Sequence, residues 1–192
     1  MKLIQHSRNT ISELKKTPIE YGIEVDIRSE AGKLITHHDP FKIGEQFEKW
    51  LNVYKHGTLI LNVKEEGLED KILALMNEHN IEDYFFLDQS FPFLIKWSNA
   101  GMHKSAVRVS EFESVENALL LKGKVDWVWV DCFTRFPLNQ QDIKILQDAG
   151  FKLCIVSPEL QGHPILWIND FTASMKGFKI DAVCTKRPEL WK

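Results

Sequence analysis

The densest set of residues capable of chemistry lies in the first third of the chain. Glu24 and Asp26 are two residues apart in a segment rich in β-branched residues, so in a strand both carboxylates point to one face. Two carboxylates on one face repel each other unless a cation lies between them, and oxygen ligands favour Mg²⁺ or Ca²⁺ over zinc. The spacing therefore indicates a divalent-cation site. Alternatively, Glu24 pairs with Arg28 or Lys64, and Asp26 with another basic side chain.

Histidine and lysine side chains are expected at the same rim as this carboxylate pair. His6 ends the first predicted strand, and His37 and His38 precede Asp39. An imidazole titrates near neutral pH, at about 6.5, so two of them at one rim suit general acid–base catalysis. Lys64 lies in an otherwise apolar segment, where its charge is costly to bury unless it meets a carboxylate or a substrate phosphate.

Eight short apolar or aromatic runs predict the strands that must position these groups. They cover residues 3–6, 22–27, 59–63, 84–88, 106–110, 127–132, 152–157 and 182–185. Segments with helical spacing lie between them, and continuous apolar strands are typical of a parallel sheet covered on both faces. The segment 33–38 follows the second strand too closely for a helical crossover, so it predicts a short hairpin excursion.

The alternation of strand and helix predicts an α/β fold, a compact TIM-type (β/α)₈ barrel in a single domain over residues 1–192. An open doubly wound sheet is the alternative. Such sheets usually carry a glycine-rich turn after the first strand, and residues 7–10 contain no glycine. The catalytic site of a barrel lies at the carboxyl ends of its strands, where the polar residues above are expected to meet.

Composition limits the classes of function. With 24 basic and 27 acidic residues the formal net charge is −3, which argues against a nucleic-acid partner. The longest apolar runs are far shorter than the roughly 20 residues that span a bilayer, and no signal peptide is recognisable, so we expect a cytoplasmic protein without a membrane span. The three cysteines are far apart and are expected to be reduced core residues. The oligomeric state is left open.

Five motifs, in order from residue 6 to residue 188, resemble the glycerophosphodiester phosphodiesterases, a branch of the phospholipase-C-like phosphodiesterase barrels. The family pattern is His-Arg followed by Asn-Thr, then Glu-x-Asp, His-Asp, Glu-x-Lys and a closing Thr-Asp-x-Pro. The corresponding segments here are His6-Ser7-Arg8-Asn9-Thr10, Glu24-Val25-Asp26, His38-Asp39, Asn62-Val63-Lys64 and Thr185-Lys186-Arg187-Pro188.

The resemblance implies roles for seven residues and a divalent cation, Mg²⁺ or Ca²⁺. His6 and His38 would be the acid–base pair. Glu24, Asp26 and Asn62 would ligate the cation, and Lys64 and Arg8 would contact the phosphate. The implied activity is metal-dependent hydrolysis of a small-molecule phosphodiester, either a glycerophosphodiester or a surface-polymer precursor. The chain would thus be a phosphoric diester hydrolase.

Two positions depart from the family pattern. Asn62 replaces a carboxylate, so we expect weaker cation affinity, although an amide oxygen still ligates a hard cation. Ser7 shifts Arg8 by one position, which aims it at a different phosphate oxygen or at none. The alternative function is therefore a weakened or inactive barrel that binds a phosphorylated metabolite. A zinc hydrolase is a third possibility, but His37 and His38 point to opposite faces of an extended segment, so only one of them could ligate.

Five further residues have no assigned role at this point. Asp88, Arg108 and Asp131 end later predicted strands, either as supports for the site or as ordinary polar strand ends. Trp127 and Trp129 share one face of a strand and are expected to fill the barrel or its helix interface, with substrate stacking as the alternative.

Overall fold

A computed structural model describes residues 1–192 as ten β-strands and seven α-helices. The strands are β1 (Lys2–Gln5), β2 (Gly22–Glu30), β3 (Lys33–Thr36), β4 (Glu45–Gln46), β5 (Leu59–Val63), β6 (Tyr84–Leu87), β7 (Ala106–Val109), β8 (Trp127–Val130), β9 (Lys152–Val156) and β10 (Ala182–Thr185). The helices are α1 (Ile11–Lys16), α2 (Phe47–Leu51), α3 (Glu69–Glu78), α4 (Phe91–Asn99), α5 (Val115–Leu119), α6 (Gln140–Asp148) and α7 (Trp167–Ser174). None of these helices is long and apolar enough to cross a bilayer.

Eight of the strands run parallel, in the order β6-β5-β2-β1-β10-β9-β8-β7. β3 and β4 extend antiparallel from the end of β2, so the predicted hairpin excursion is confirmed. The short strand β4 was absent from the sequence prediction, because two polar residues give no strand pattern. The eight predicted parallel strands are all present, and the α/β class is confirmed.

The sheet is not closed between β6 and β7. A single isolated parallel bridge joins Phe86 to Ser105, and no backbone hydrogen bond joins Asp88 to Ala106 or to Arg108. Asp88 has a φ of 60°, a left-handed conformation in which the chain leaves the strand direction. The structure therefore confirms a mixed α/β sheet of ten strands, whereas closure into a barrel stays a prediction.

Side chains alternate between the two faces of the sheet, and the inner face holds one apolar cluster. It contains residues of seven strands, and the rings of Phe85 and Trp127 stack with centroids 4.5 Å apart. Trp127 and Trp129 are both buried in this cluster, which confirms that they fill the interior. The opposite face packs against the helices in two larger clusters. Cys132, Cys154 and Cys184 are free and buried, as predicted.

Candidate active site

The predicted carboxylate pair lies on the inner face of β2, just above the apolar cluster. Glu24 and Asp26 are almost completely buried, whereas the intervening Val25 faces the helices. One Glu24 oxygen accepts the backbone N–H of Ser7 at 2.6 Å, and the other accepts the Asn62 amide at 2.8 Å. β2 and β5 are paired in register, with Asp26 opposite Asn62, so the backbone ladder fixes this contact.

Asn9 is a site residue that the sequence analysis did not assign. Its side-chain amide donates to Asp26 Oδ2 at 2.7 Å, and its Oδ1 accepts the Asp26 backbone N–H at 2.9 Å. The next residue, Thr10, begins α1 through a capping box with Glu13, which fixes the loop after β1. Asn9-Thr10 belongs to the first family motif, so the motif was the signal from which Asn9 could have been identified.

Buried negative charge dominates the electrostatics of the carboxylate pair. Burial, together with the charge of Asp26, raises the pKa of Glu24 to about 8. The hydrogen bonds from Asn62 and Ser7 oppose this rise, as does the charge of Lys64, but they do not cancel it. A cation beside Glu24 would therefore lower the free energy of its ionised form.

Lys64 neutralises part of this charge. Its ammonium lies 3.3 Å from Asp26 Oδ1 and 3.2 Å from Asp88 Oδ2, and its side chain is only 16% exposed. The ion pair considered from the sequence thus forms, but with Asp26 rather than with Glu24. Arg28 instead lies 3.7 Å from Glu65, away from the carboxylate pair.

His6 lies at the mouth of the site beside the carboxylates. Its Nε2 is 3.7 Å from Glu24 Oε2, and its Nδ1 is buried without a hydrogen-bond partner. Burial lowers the pKa of His6 to about 4; the charge of Asp26 opposes this shift, and the charges of Lys186, Lys64 and His38 add to it.

His38 lies in the exposed segment that follows β3. Its side chain is 64% exposed, and its Nδ1 lies 2.9 Å from Asp39 Oδ1. The charge of His38 contributes to the lowered pKa of His6, so the two imidazoles belong to one electrostatic environment. His37 is turned differently and contacts the backbone of Asp39.

Arg8 is not brought to the carboxylates by the fold. Its guanidinium donates to the side chain of Gln5, which lies on the opposite face of β1 from the inward-facing Ile4. The carbonyl of Arg8 accepts the Trp50 indole N–H at 2.9 Å, which anchors this segment against α2. The expected phosphate contact of Arg8 thus stays a prediction, and the structure directs its side chain away from the site.

Arg108 connects the site to the opposite side of the sheet. Its guanidinium donates to Asp88 and Asp131, while Asp88 also contacts Lys64. Asp131 is buried and accepts the Gln161 amide at 2.7 Å. Asp88, Arg108 and Asp131 therefore form one charged network that reaches Lys64, rather than isolated strand ends. Their inward register could be predicted from the sequence, but their mutual contacts depend on strand order.

The donor set suits a hard divalent cation only in part. No three His, Cys, Asp or Glu side chains gather into a metal-binding group. Glu24 and Asp26 nevertheless supply carboxylate oxygens, and Asn62 Oδ1 is buried without a hydrogen-bond partner beside them. An orphaned buried oxygen beside two carboxylates fits a small cation that completes its coordination with other oxygen ligands.

A cavity of about 310 Å³ lies beside Asp88 and Arg108, at the opening between β6 and β7. Its lining is half hydrophobic, and it comprises Leu87, Asp88, Gln89, Phe91, Leu94, Ala106, Val107, Arg108, Glu113 and Asn117. Space for a small ligand therefore lies next to Asp88, the carboxylate that contacts Lys64.

The fold and the site define an α/β protein whose polar groups meet at the carboxyl ends of parallel strands. No protein-family model and no curated protein matches the sequence. Solved structures do match: a glycerophosphodiester phosphodiesterase from Agrobacterium tumefaciens has a TM-score of 0.72 and 15% identity, over 99% of this chain and 98% of its own.

Two further structures give the same result. A candidate glycerophosphodiester phosphodiesterase from Galdieria sulphuraria has a TM-score of 0.71 and 12% identity, over 99% of this chain and 96% of its own. A glycerophosphoryl diester phosphodiesterase from Parabacteroides distasonis has a TM-score of 0.62 and 12% identity, over 98% of this chain and 84% of its own. The chain therefore has the fold of these phosphodiesterases, as the sequence motifs predicted.

Proposed function

We propose that this chain is a phosphoric diester hydrolase, acting on a glycerophosphodiester or on a phosphodiester of a surface-polymer precursor. One observation carries the proposal: His6 Nε2 lies 3.7 Å from the buried Glu24, which shares the inner face of β2 with Asp26. The shared fold supports this conclusion, because it aligns nearly the whole chain with glycerophosphodiester phosphodiesterases. Residues 1–192 form one domain, and its proposed architecture is a barrel in which side chains span the opening between β6 and β7.

The two histidines provide the proton transfers. One imidazole accepts the proton of the nucleophile, either water or a neighbouring hydroxyl of the substrate, and the other protonates the leaving oxygen. Each positioned proton transfer contributes about 10²–10⁴-fold. If the nucleophile is the substrate's own hydroxyl, the first product is a cyclic phosphate. His6 is fixed by its position after β1, whereas the exposed His38 meets the substrate from the rim.

Glu24, Asp26 and Asn62 would hold a divalent cation, Mg²⁺ or Ca²⁺. When bound, the cation supplies positive charge against the phosphate and favours ionisation of the nucleophile. Lys64 reduces the charge that develops on the phosphoryl oxygens, and Asp88 orients it for this role at 3.2 Å. Asn9 and Ser7 keep the two carboxylates in place through their hydrogen bonds.

Product release from a panel of phosphodiesters tests the proposal. Glycerophosphocholine, glycerophosphoglycerol and a chromogenic bis-aryl phosphodiester are incubated with the parent chain and with His38→Ala, each with Mg²⁺, Ca²⁺ or a chelator. Because His38 is exposed, its replacement leaves the fold intact and isolates its chemical role. Cation-dependent turnover that is lost in His38→Ala is expected. Equal turnover in both proteins would exclude the two-histidine mechanism.

A binding function without turnover is the second candidate. It is favoured by Asn62, whose amide donates to Glu24 where the family pattern has a third carboxylate. A folded protein that binds a phosphorylated metabolite in the same site, and that cleaves none of the panel under any cation condition, would establish it.

A further inference from the structure

Lys186 directly follows β10, at the position next to His6 in the sheet. β1 and β10 are paired in parallel with Gln5 opposite Thr185, and the His6 N–H donates to the Thr185 carbonyl at 3.1 Å. The register therefore places Lys186 opposite His6. Because Cys184 faces the inner cluster and side chains alternate along a strand, Lys186 starts from the same face as His6.

The backbone of Lys186 is held in a defined position. Its N–H donates to Glu159 Oε1 at 3.1 Å, and the same carboxylate accepts the hydroxyl groups of Thr185 and Ser157. Glu159 is therefore already occupied by three donors. The Lys186 side chain remains exposed and forms no ion pair.

The other cations near the site are already in ion pairs. Lys64 contacts Asp26 and Asp88, and Arg108 contacts Asp88 and Asp131. Arg187 pairs with Glu189, whereas Arg8 and Arg28 are turned away from the site, to Gln5 and Glu65. A phosphodiester that enters the site must therefore compete with carboxylates for Lys64 and Arg108. Lys186 is the cation in register with His6 that needs no such exchange.

The local charge makes such a cation useful. Asp26, Asp88 and Asp131 outnumber Lys64 and Arg108, and Glu24 adds a fourth carboxylate when it is ionised. Even with the proposed divalent cation bound, these charges only balance, so an anionic substrate gains no net attraction unless further positive charge is present. Lys186 is placed to supply this charge, because the pairing of β1 with β10 sets it opposite His6.

We propose that Lys186 binds the substrate phosphate and so supplies the contact that the family resemblance implied for Arg8. This inference rests on the proposed function and deepens it. It is specific to this chain, because the family pattern quoted above has an aspartate at this position. The expected contact is a charge-assisted hydrogen bond from the ammonium to a non-bridging phosphate oxygen.

Binding of inorganic phosphate tests this role without requiring turnover. The parent chain, Lys186→Gln and Lys186→Arg are titrated with inorganic phosphate in the presence of Mg²⁺, with NMR of the ¹⁵N-labelled proteins as the readout. Arg187→Gln is the matched control, because it removes the same charge one residue away from a side chain paired with Glu189. KM and kcat for a bis-aryl phosphodiester are measured on the same four proteins.

Lys186→Gln should weaken phosphate binding about tenfold and raise KM to a similar extent with little change in kcat, as expected for loss of a contact present in both ground and transition states. Lys186→Arg should restore most of the affinity, and Arg187→Gln should match the parent. Phosphate affinity of Lys186→Gln within about twofold of the parent would overturn the inference while leaving hydrolysis standing.

Two other results are equally decisive. Loss of phosphate affinity in Lys186→Gln, in a chain that shows no turnover, would support the role of Lys186 and contradict the hydrolase proposal. A folded parent chain that binds no phosphate would overturn the inference, and one that also turns over no phosphodiester would contradict both proposals.

Discussion

Five residues of β2 are paired in register with five residues of β5, whereas β6 and β7 share one bridge between Phe86 and Ser105. The first region, here called the β2–β5 sector, carries Glu24, Asp26, Asn62 and Lys64. The second, the β6–β7 seam, is joined by this bridge, in which the Phe86 N–H donates to the Lys104 carbonyl at 2.9 Å, and by side chains. Ser105 donates to the Gln89 side chain at 2.8 Å, and Arg108 contacts Asp88.

This difference assigns a separate task to each region: the β2–β5 sector positions the chemical groups, and the β6–β7 seam balances their charge. Chemical groups must be held within about 0.5 Å of their working positions, and regular strands do this better than loops. The β2–β5 sector meets this requirement through backbone pairing. The β6–β7 seam adjoins the sector through the parallel pairing of β6 with β5, and its charged side chains reach the sector through one ion pair, from Asp88 to Lys64 at 3.2 Å. Damage to the sector should therefore affect catalysis most, and damage to the seam should affect stability most.

Removal of His6 should give the largest effect on activity. His6→Ala should lower kcat/KM for a phosphodiester by about 10²–10⁴-fold, because one proton transfer is lost. Circular dichroism should show an unchanged fold. His79→Ala, at the end of α3 and outside the site, is the control and should retain parent activity. Full activity in His6→Ala would remove His6 from the mechanism and contradict the two-histidine proposal.

Replacement of Arg108 tests the seam, where we expect a larger effect on stability than on activity. Arg108→Met keeps similar bulk but leaves the buried Asp131 without its cation, so the free energy of unfolding should fall by about 2–3 kcal/mol. This range allows for the partial exposure of the guanidinium. The loss of kcat/KM should be smaller than in His6→Ala. Chemical denaturation measures the first effect, and Arg108→Lys, which keeps the charge, should recover part of the stability.

Asn62 sharpens the comparison within the β2–β5 sector. Asn62→Asp puts a third carboxylate beside Glu24, so without a divalent cation the unfolding free energy should fall by about 2 kcal/mol, or Tm by about 4–8 °C. Mg²⁺ or Ca²⁺ should raise the Tm of Asn62→Asp more than that of the parent. Equal shifts in the two proteins would argue against cation binding by this oxygen set.

The sequence predicts which residues of the β2–β5 sector lie together, but it does not predict the contacts of the β6–β7 seam. The i, i+2 spacing of Glu24 and Asp26 fixes their shared face, and the motif order brings His6 and Lys64 to the same end of the sheet. The Asp88 contact with Arg108 depends instead on which strands become neighbours, and strand periodicity carries no such information.

The direction of a side chain that follows the end of a strand could not be predicted from the sequence either. Arg8 was aligned with a phosphate-binding position, but the turn that follows β1 directs its guanidinium to Gln5. Ser7 has a φ of 52° in that turn, a backbone conformation that residue type alone does not predict. The opening at β6–β7 arises similarly, at the left-handed Asp88.

Hydrogen exchange should distinguish the two regions residue by residue. The Lys64 N–H donates to the Ile27 carbonyl at 3.0 Å, whereas no backbone hydrogen bond joins Arg108 to Asp88 across the seam. The Lys64 amide should therefore exchange more slowly than the Arg108 amide in the native protein. Equal protection of the two amides would indicate that the seam is closed in solution.

The smallest predicted effect concerns Glu111, which follows β7 and accepts backbone N–H groups of Thr134 and Arg135 at 2.6 and 2.7 Å. Partial burial alone would raise its pKa, but backbone hydrogen bonds outweigh burial and lower the pKa of Glu111 to about 2. The folded-state pKa lies below the unfolded value, so the stabilisation is complete above about pH 4.5 and is lost as pH falls through about 2. Glu111→Gln should flatten this acid limb in pH-dependent thermal melts, and an unchanged limb would exclude Glu111 as its source.

³¹P NMR of glycerophosphoglycerol mixed with the parent chain and Mg²⁺ tests the central claim most directly, with Glu24→Gln run in parallel. The account predicts that the phosphodiester signal is replaced by a phosphomonoester signal, with or without a preceding cyclic phosphate, and that Glu24→Gln slows this change strongly. A phosphodiester signal that persists with folded parent protein, or that decays equally with Glu24→Gln, would contradict it.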